Sequence, residues 1–359
     1  MRKKFFILIF VFVNALNIFS IIFMSNIITV NAENKTSEIV MEVNSGRVLY
    51  SHNATDKKYM ASTTKILTAI TIIENCNLTD IITVTKDTVG IEGSSIYLVE
   101  GEKLSVKDLL YGLMLRSGND CAETLAVYCS GSIKEFAVLM NETAKKIGAN
   151  DSNFVNPHGL HDENHYTTAY DLALISRYAM TNNDFREIVS TKVVNIPHTK
   201  REYGRHLVNK NKMLNEFEGS TGIKTGYTKK AGRCLVSSCV RNGMELICVV
   251  LNCAPMFERS KSLLSQCFND YSNYKLVESD HIVGFIKINK YNKEYALHVK
   301  KDVILPLNSA EYNKIEIKYE YPENIDFIEN NNNEVGYVKI YCENNLLFQE
   351  KIYTILEVE

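Results

Sequence analysis

The chain has 359 residues, 45% of them hydrophobic, and its 40 Lys and Arg nearly balance 42 Asp and Glu, giving a formal charge of −2. That balance gives no sign of the strongly basic character that points to a nucleic-acid partner, and the length suffices for two globular domains. Nine cysteines are present without tight metal spacing such as Cys-x-x-Cys, so neither a metal nor another cofactor is expected.

Arg2, Lys3 and Lys4 precede an apolar run over residues 5–30, and Val30-Asn31-Ala32 has the small-residue form of a cleavage site. The run approaches bilayer-spanning length. Asn14, Asn17 and Asn26 interrupt it, which favours cleavage over a permanent anchor. Residues 1–32 are read as a signal peptide, which puts the rest of the protein outside the cytoplasm. Its removal takes away three basic and no acidic residues, so the charge moves from −2 to −5 and about 327 residues remain. All nine cysteines fall in that part. Cys234, Cys239, Cys248 and Cys253 sit in apolar runs and are read as small buried hydrophobes rather than a disulfide framework.

Residues 38–43 and 47–51 read as a hairpin around Asn44-Ser45-Gly46. A loop leads to a helix over 62–75, residues 81–84 suggest a short strand, and the Gly- and Ser-rich stretch 90–101 is irregular. Ser105-Val-Lys-Asp108 has the form of a capping box opening a helix over 106–115. That helix delivers Arg116-Ser117-Gly118-Asn119 to a turn, and another helix runs over 120–128. Ser132 and Thr168, each followed three residues later by an acid, cap helices that end near Gly148 and Met180. From Ser190 the pattern turns to strands. Residues 234–240 and 244–252 flank Asn242-Gly243, a strong hairpin signal, before a helix over 260–274. Beyond residue 276, alternating segments at 286–289, 295–299, 314–319, 335–340 and 352–356 carry no helical period. The expected architecture is an α/β sandwich over 33–275, an antiparallel sheet packed on helices, followed by a small all-β domain over 276–359.

The chemistry centres on Ser62 and Lys65. Three residues apart at the start of a helix, they share one face, and a lysine whose pKa is lowered by burial or a second cation can take the serine proton. Ser-x-x-Lys alone is ordinary surface decoration. It recurs at Ser272 and Lys275, just as the Ser-x-Asn of Ser117 and Asn119 recurs at Ser51 and Asn53. Lys224-Thr225-Gly226 alone would be a strand end. Ordered together they form a nucleophile set. Ser62 attacks a carbonyl, Lys65 is the base, and Ser117 relays a proton between Lys65, Lys224 and the leaving amine. Asn119 holds the substrate amide, and Lys224 lowers the pKa of Lys65 and attracts an anion. The Thr225 hydroxyl binds a carboxylate, Gly226 lets substrate backbone approach, and the backbone N–H groups of Ser62 and Tyr227 form an oxyanion hole. His158 and His161 are read as structural, because the lysine already fills the base role.

The three motifs and their flanks resemble those of the serine-type D-alanyl-D-alanine carboxypeptidases, the low-molecular-mass penicillin-binding proteins. The likeness spans nearly the whole mature chain, including Met60 to Lys65, Gly93 to Gly101, Leu109 to Asp120, Asn156-Pro-His-Gly-Leu160, Thr168-Ala-Tyr-Asp171 and Gly222 to Thr228. It implies the β-lactamase-like, penicillin-recognising α/β fold with a β-rich C-terminal domain. It also implies peptidoglycan stem peptides as substrate, β-lactams as covalent inhibitors, a role in cell-wall biogenesis, and a secreted, wall-associated or peripherally membrane-associated location. Two features depart from the family. The chain ends in a strand-like segment where relatives carry an amphipathic membrane-docking helix, so the protein is expected to be released or held by its N-terminus. Arg259 lies near, but not in register with, a family arginine and is left out of the site. Two rivals are a serine β-lactamase, disfavoured because no Glu-x-x-Leu-Asn stretch follows the second motif, and an inactive wall-binding relative, disfavoured by the intact motifs.

Overall fold

Met244–Leu251 is apolar at nearly every position and buried along its whole length, as only a strand covered on both faces can be. The computed structural model describes residues 36–199, 201–279, 281–326 and 333–354; the segment read as a signal peptide lies outside them. That strand is β5 of a five-stranded antiparallel sheet formed with β1 (Ser37–Glu42), β2 (Val48–His52), β3 (Ser220–Thr228) and β4 (Gly232–Arg241), in the order β2-β1-β5-β4-β3. Alternate side chains of β5 serve two cores. Ile247, Val249 and Leu251 face the main helical layer, and Leu246, Cys248 and Val250 face the other side. The β4–β5 turn is the expected Asn-Gly hairpin, with positive φ at Asn242 (+50°) and Gly243 (+75°).

The main helical layer comprises α1 (Lys65–Asn75), α2 (Val106–Leu115), α3 (Asn119–Ser130), α4 (Ile133–Ile147), α5 (Ala169–Ala179) and α6 (Asn183–Ser190). Residues 65–72 of α1 are all buried, so this helix is the hub around which the others pack. The caps form as their sequences demand. Ser105 and Asp108 close a reciprocal capping box, and the Ser132 and Thr168 hydroxyls accept from the amides of Glu135 and Asp171. The opposite face of the sheet is covered by α7 (Met256–Asp270) through Leu263, Leu264 and Cys267.

The helix expected over 260–274 thus lies earlier. Its C-terminal residues belong instead to a strand, β6 (Ser272–Val277), because Tyr274, Leu276 and Val277 pack into a separate C-terminal core. That all-β domain adds β7 (Gly284–Ile288), β8 (Lys293–His298), β9 (Val303–Leu307), β10 (Ile315–Glu320), β11 (Asn324–Ile325), β12 (Glu334–Cys342) and β13 (Asn345–Thr354). Six of them form a sheet in the order β10-β12-β13-β8-β7-β11, and β6 pairs with β9. Arg47, between β1 and β2, ties the two domains together by donating to the Pro306 carbonyl and the Glu311 carboxylate. All nine cysteines are unpaired, and six of them are buried. Burial pushes the Cys234 thiol up to about 12, consistent with an inert apolar role.

Arg259 has a structural position. Its guanidinium on α7 grips Glu38 of β1 through two bonds of 2.8 and 2.6 Å, and also donates to the Tyr50 hydroxyl at 2.9 Å. Burial alone would raise the pKa of Glu38, but Arg259 overcomes it and holds the carboxyl below its ordinary 4.5. That stability is fully present above pH 4.5 and is lost as pH falls through the lowered value. Arg259→Met should cost about 2 kcal/mol at neutral pH, less than a fully buried pair because the arginine is partly solvated. Thermal melts of both proteins against pH check this: the gap should narrow below pH 4.5, where Glu38 protonates, and a gap independent of pH contradicts the assignment.

Candidate active site

A single 3₁₀ turn, Ala61–Thr64, precedes α1. Residues i and i+3 eclipse one another in a 3₁₀ turn, so Ser62 Oγ and Lys65 Nζ are stacked 3.1 Å apart. Ala61 is held at φ +49°, a strained value for a residue with a side chain. Its neighbours fix it there. The Thr63 hydroxyl donates to the Met60 carbonyl at 2.6 Å and the Thr64 hydroxyl to the Ala61 carbonyl at 2.8 Å. His165 braces the same turn. Its Nδ1 accepts from the Val155 amide at 3.1 Å, so Nε2 carries the hydrogen that reaches the Thr64 hydroxyl at 2.8 Å. Burial drops this imidazole to about 3, which keeps it neutral.

Lys65 has no exposed surface. Besides approaching Ser62, its amine donates to Asn119 Oδ1 and to the His158 carbonyl, both at 2.7 Å. The carbonyl is placed by the loop Asn156-Pro-His-Gly-Leu160. Asn156 Oδ1 accepts from the Gly159 amide at 2.7 Å, and the Asn156 side-chain amide donates to the Leu160 carbonyl at 3.0 Å. Gly159 is obligatory: its φ is +88°, and a Cβ there would lie 1.9 Å from the Ala61 carbonyl oxygen. The His158 ring points elsewhere, to Glu123 at 3.2 Å, and His161 packs edge-on against Tyr59.

Asn119, the first residue of α3, is fixed from the other side. Its backbone amide donates to the Ser94 carbonyl at 2.7 Å and its side-chain amide to the Glu92 carbonyl at 2.5 Å. The buried carboxylate of Asp120 holds the continuation of that loop, accepting from the Ser95 hydroxyl at 2.5 Å and the amides of Leu98 at 3.0 Å and Ile96 at 3.2 Å. Ser117 is buried at φ +65°, and its hydroxyl makes no hydrogen bond among the described residues.

The third wall is β3, an edge strand. Lys224 is buried and its amine donates to the Thr225 carbonyl at 2.9 Å. Thr225 is half-buried and Tyr227 is exposed. Gly226 serves the protein's own packing: a Cβ there would lie 3.0 Å from Ser62 N and 3.1 Å from Met60 O. It lets β3 lie directly on the turn that carries Ser62, a role beyond the substrate approach expected from sequence. The second Ser-x-x-Lys is in β6, where residues three apart point to opposite faces, and Lys275 pairs with Asp302 on the surface. Among the described residues, no three His, Cys, Asp or Glu side chains converge as metal ligands.

No carboxylate among the described residues hydrogen-bonds to Lys65 or Lys224. Burial, and then the charge of Lys224, holds Lys65 well below the ordinary lysine range. Burial, and then Lys210, lowers Lys224 to about 7. Lys210 was not anticipated. It carries no motif signature, yet it reaches the cleft wall and donates to the Ser94 hydroxyl at 3.3 Å. Asp120 and the His158 carbonyl were likewise given no role from sequence, although both lie within stretches that matched the family.

The family profile of the D-alanyl-D-alanine carboxypeptidases matches residues 25–254. This chain belongs to that family. A second profile, of the C-terminal domain of penicillin-binding protein 5, matches residues 271–359. Among relatives, the D-alanyl-D-alanine carboxypeptidase DacF of Bacillus subtilis is 31% identical over 74% of this chain and 70% of its own length. DacD of Salmonella typhimurium is 29% identical over 89% of this chain and 85% of its own. The crystal structure of penicillin binding protein 5 from Haemophilus influenzae superposes with a TM-score of 0.77 over 89% of this chain and 96% of that one, and at 24% identity it speaks to the fold alone.

The three clustered lysines yield a direct test. In Lys210→Met, loss of the neighbouring cation relieves the penalty on a charged Lys224, so its titration midpoint should rise above about 7. Carbon NMR of labelled lysine side chains reads this, and an unmoved midpoint, or one at 10.5 in the unaltered protein, contradicts the electrostatic account.

Proposed function

We propose that the protein is a serine D-alanyl-D-alanine carboxypeptidase that removes the terminal D-Ala from peptidoglycan stem peptides through an acyl-enzyme on Ser62. In this reading Ser62, Lys65 and Ser117 are catalytic, and Asn119, Lys224, Thr225, Gly226 and Tyr227 bind substrate. One observation carries it. The Lys65 amine has two short bonds to pure acceptors, Asn119 Oδ1 and the His158 carbonyl, and a longer approach to Ser62 Oγ. A neutral amine has two hydrogens and one lone pair. The acceptors take the hydrogens, so the lone pair faces the serine hydroxyl, whose O–H donates to it.

From that state the steps follow. Ser62 Oγ attacks the carbonyl carbon of the penultimate D-Ala while its proton passes to Lys65 Nζ. The oxyanion forms between the backbone N–H groups of Ser62 and Tyr227. The proton travels by way of the Ser117 hydroxyl, which is unengaged, to the nitrogen of the terminal D-Ala, and the C–N bond breaks. A water then attacks the ester by the reverse route and restores Ser62. Lys224, protonated below about 7, attracts the terminal carboxylate, and the Thr225 hydroxyl completes its recognition. Asn119 has one side-chain hydrogen left for the substrate, its other groups being used to hold Lys65 and the Glu92 loop.

The β-lactamase rival needs a carboxylate to activate the deacylating water. Glu163 opens the stretch nearest to the Glu-x-x-Leu-Asn pattern, Glu-Asn-His-Tyr-Thr, which lacks the Asn; it is exposed, and a backbone carbonyl occupies the position beside Lys65. The division between catalytic and β-rich domains is proposed between Asp270 and Ser272 rather than at 275, and the location outside the cytoplasm, with residues 1–32 as export signal, is part of this reading.

Incubation with penicillin followed by mass spectrometry should give a lasting adduct on Ser62, because the deacylation step is slow. Lys65→Ala should slow its formation about 1,000-fold or more with an unchanged far-ultraviolet spectrum. Release of the adduct within seconds would favour the β-lactamase, and normal labelling of Lys65→Ala would remove the lysine from the base role.

A further inference from the structure

A second cavity of about 400 Å³ lies beside the cleft. The two share their walls. The loop that presents the Glu92 and Ser94 carbonyls to Asn119 continues into Ser95, Ile96 and Tyr97, which line the cavity. Arg116, directly before Ser117, lines it too. The facing wall is the hairpin of Val193–Ile196 and Arg205–Val208 with its connection, which supplies Arg201 and Tyr203.

Its charge is one-sided. No Asp or Glu among the described residues lines it. Glu102 lies behind the wall, wholly buried, and is occupied by Arg205 at 2.8 Å and His198 at 3.2 Å. Glu202, beside Arg201 in the chain, is exposed to solvent outside the lining. Among the described residues Arg116 bonds only to the Val208 carbonyl, at 3.2 Å, and the Arg201 guanidinium has no partner. Two arginines with unspent donors therefore point to a planar anion, which guanidinium groups bind in pairs of parallel hydrogen bonds.

The wall is also built rather than incidental. Asp120 fixes the loop from one side, and from the other Arg205 donates to the carbonyls of Ile96 and Tyr97, each at 2.9 Å. These clamps hold Tyr97 at φ +60° with the residue 80% exposed, and Tyr203 stands 78% exposed nearby. Backbone strain that presents an aromatic ring to water stabilises nothing in the free protein, and such strain concentrates at binding sites.

We propose that this cavity is a second substrate subsite, one that takes a free carboxylate borne by the stem peptide away from the scissile bond, with Tyr97 and Tyr203 covering the adjoining apolar chain. The inference rests on the carboxypeptidase reading above. The two sites adjoin, because Ser94 and Ser95, and Arg116 and Ser117, are chain neighbours divided between them, so that one extended peptide, at roughly 3.3 Å per residue, can lie across both.

The test uses two peptides ending in D-Ala-D-Ala that differ only in whether an internal side-chain carboxylate is free or amidated. The unaltered protein should prefer the free acid about tenfold in kcat/KM, chiefly through KM, and added salt should reduce the preference. In Arg201→Gln the ratio should fall towards one. The ratio is the readout, so a change in the folded fraction cancels. A ratio near one in the unaltered protein, while penicillin still acylates Ser62, overturns the subsite alone, as does a ratio that Arg201→Gln leaves untouched. If neither peptide is cleaved and penicillin does not react, the catalytic reading falls and this one with it.

Discussion

Taking the Lys65 amine out of water costs several kcal/mol if it stays charged, and among the described residues no carboxylate hydrogen-bonds to it, the charge of Asp120 offsetting only part of that cost. The protein eases the conflict by lowering the pKa of the amine and surrounding it with acceptors of fixed direction. Much of the local architecture follows from this. The 3₁₀ turn stacks the serine on the amine, the first residue of α3 brings Asn119 Oδ1, and the glycine at 159 lets a carbonyl close in where any side chain would strike Ala61. Lys224 and Lys210 add positive charge that lowers the pKa of the amine further and leaves the cleft attractive to an anion.

This arrangement needs a rigid frame, and the fold supplies one from both sides. α1 is buried over its first eight residues, and β3 lies against its N-terminal turn because Gly226 has no side chain. β4 and β5 bury both faces and fix β3 in register. Asp120 and Arg205 perform the same task for the loop that faces the cleft on one side and the cationic cavity on the other. Strained backbone at Ala61, Tyr97 and Ser117 is gathered where these supports converge.

How much of this was legible in the sequence depended on the kind of signal. Side-chain motifs with fixed spacing, Ser62 with Lys65, Ser117 with Asn119, and Lys224 with Thr225 and Gly226, could be read directly, as could the caps at Ser105, Ser132 and Thr168 and the turn at Asn242. The His158 carbonyl could not, because every residue carries a carbonyl and only the positive φ of Gly159 gives it direction. Lys210 could not, because its closeness to the cleft is a tertiary fact. Residues 272–274, the start of the Ser272–Val277 strand, read as the end of a helix because their polar and aromatic side chains carry no clear period, and Val303–Leu307 does not read as a strand because Pro306 argues against one, which its place in a two-stranded pair permits.

In the proposed mechanism a neutral Lys65 activates Ser62 while a charged Lys224 draws in the substrate carboxylate. The most direct measurement is the initial rate of D-Ala release from a peptide ending in D-Ala-D-Ala, followed against pH. The rate should rise as Lys65 loses its proton, fall as Lys224 loses its own near pH 7, and vanish in Ser62→Ala. A rate that is flat across this range, or that survives in Ser62→Ala, contradicts it.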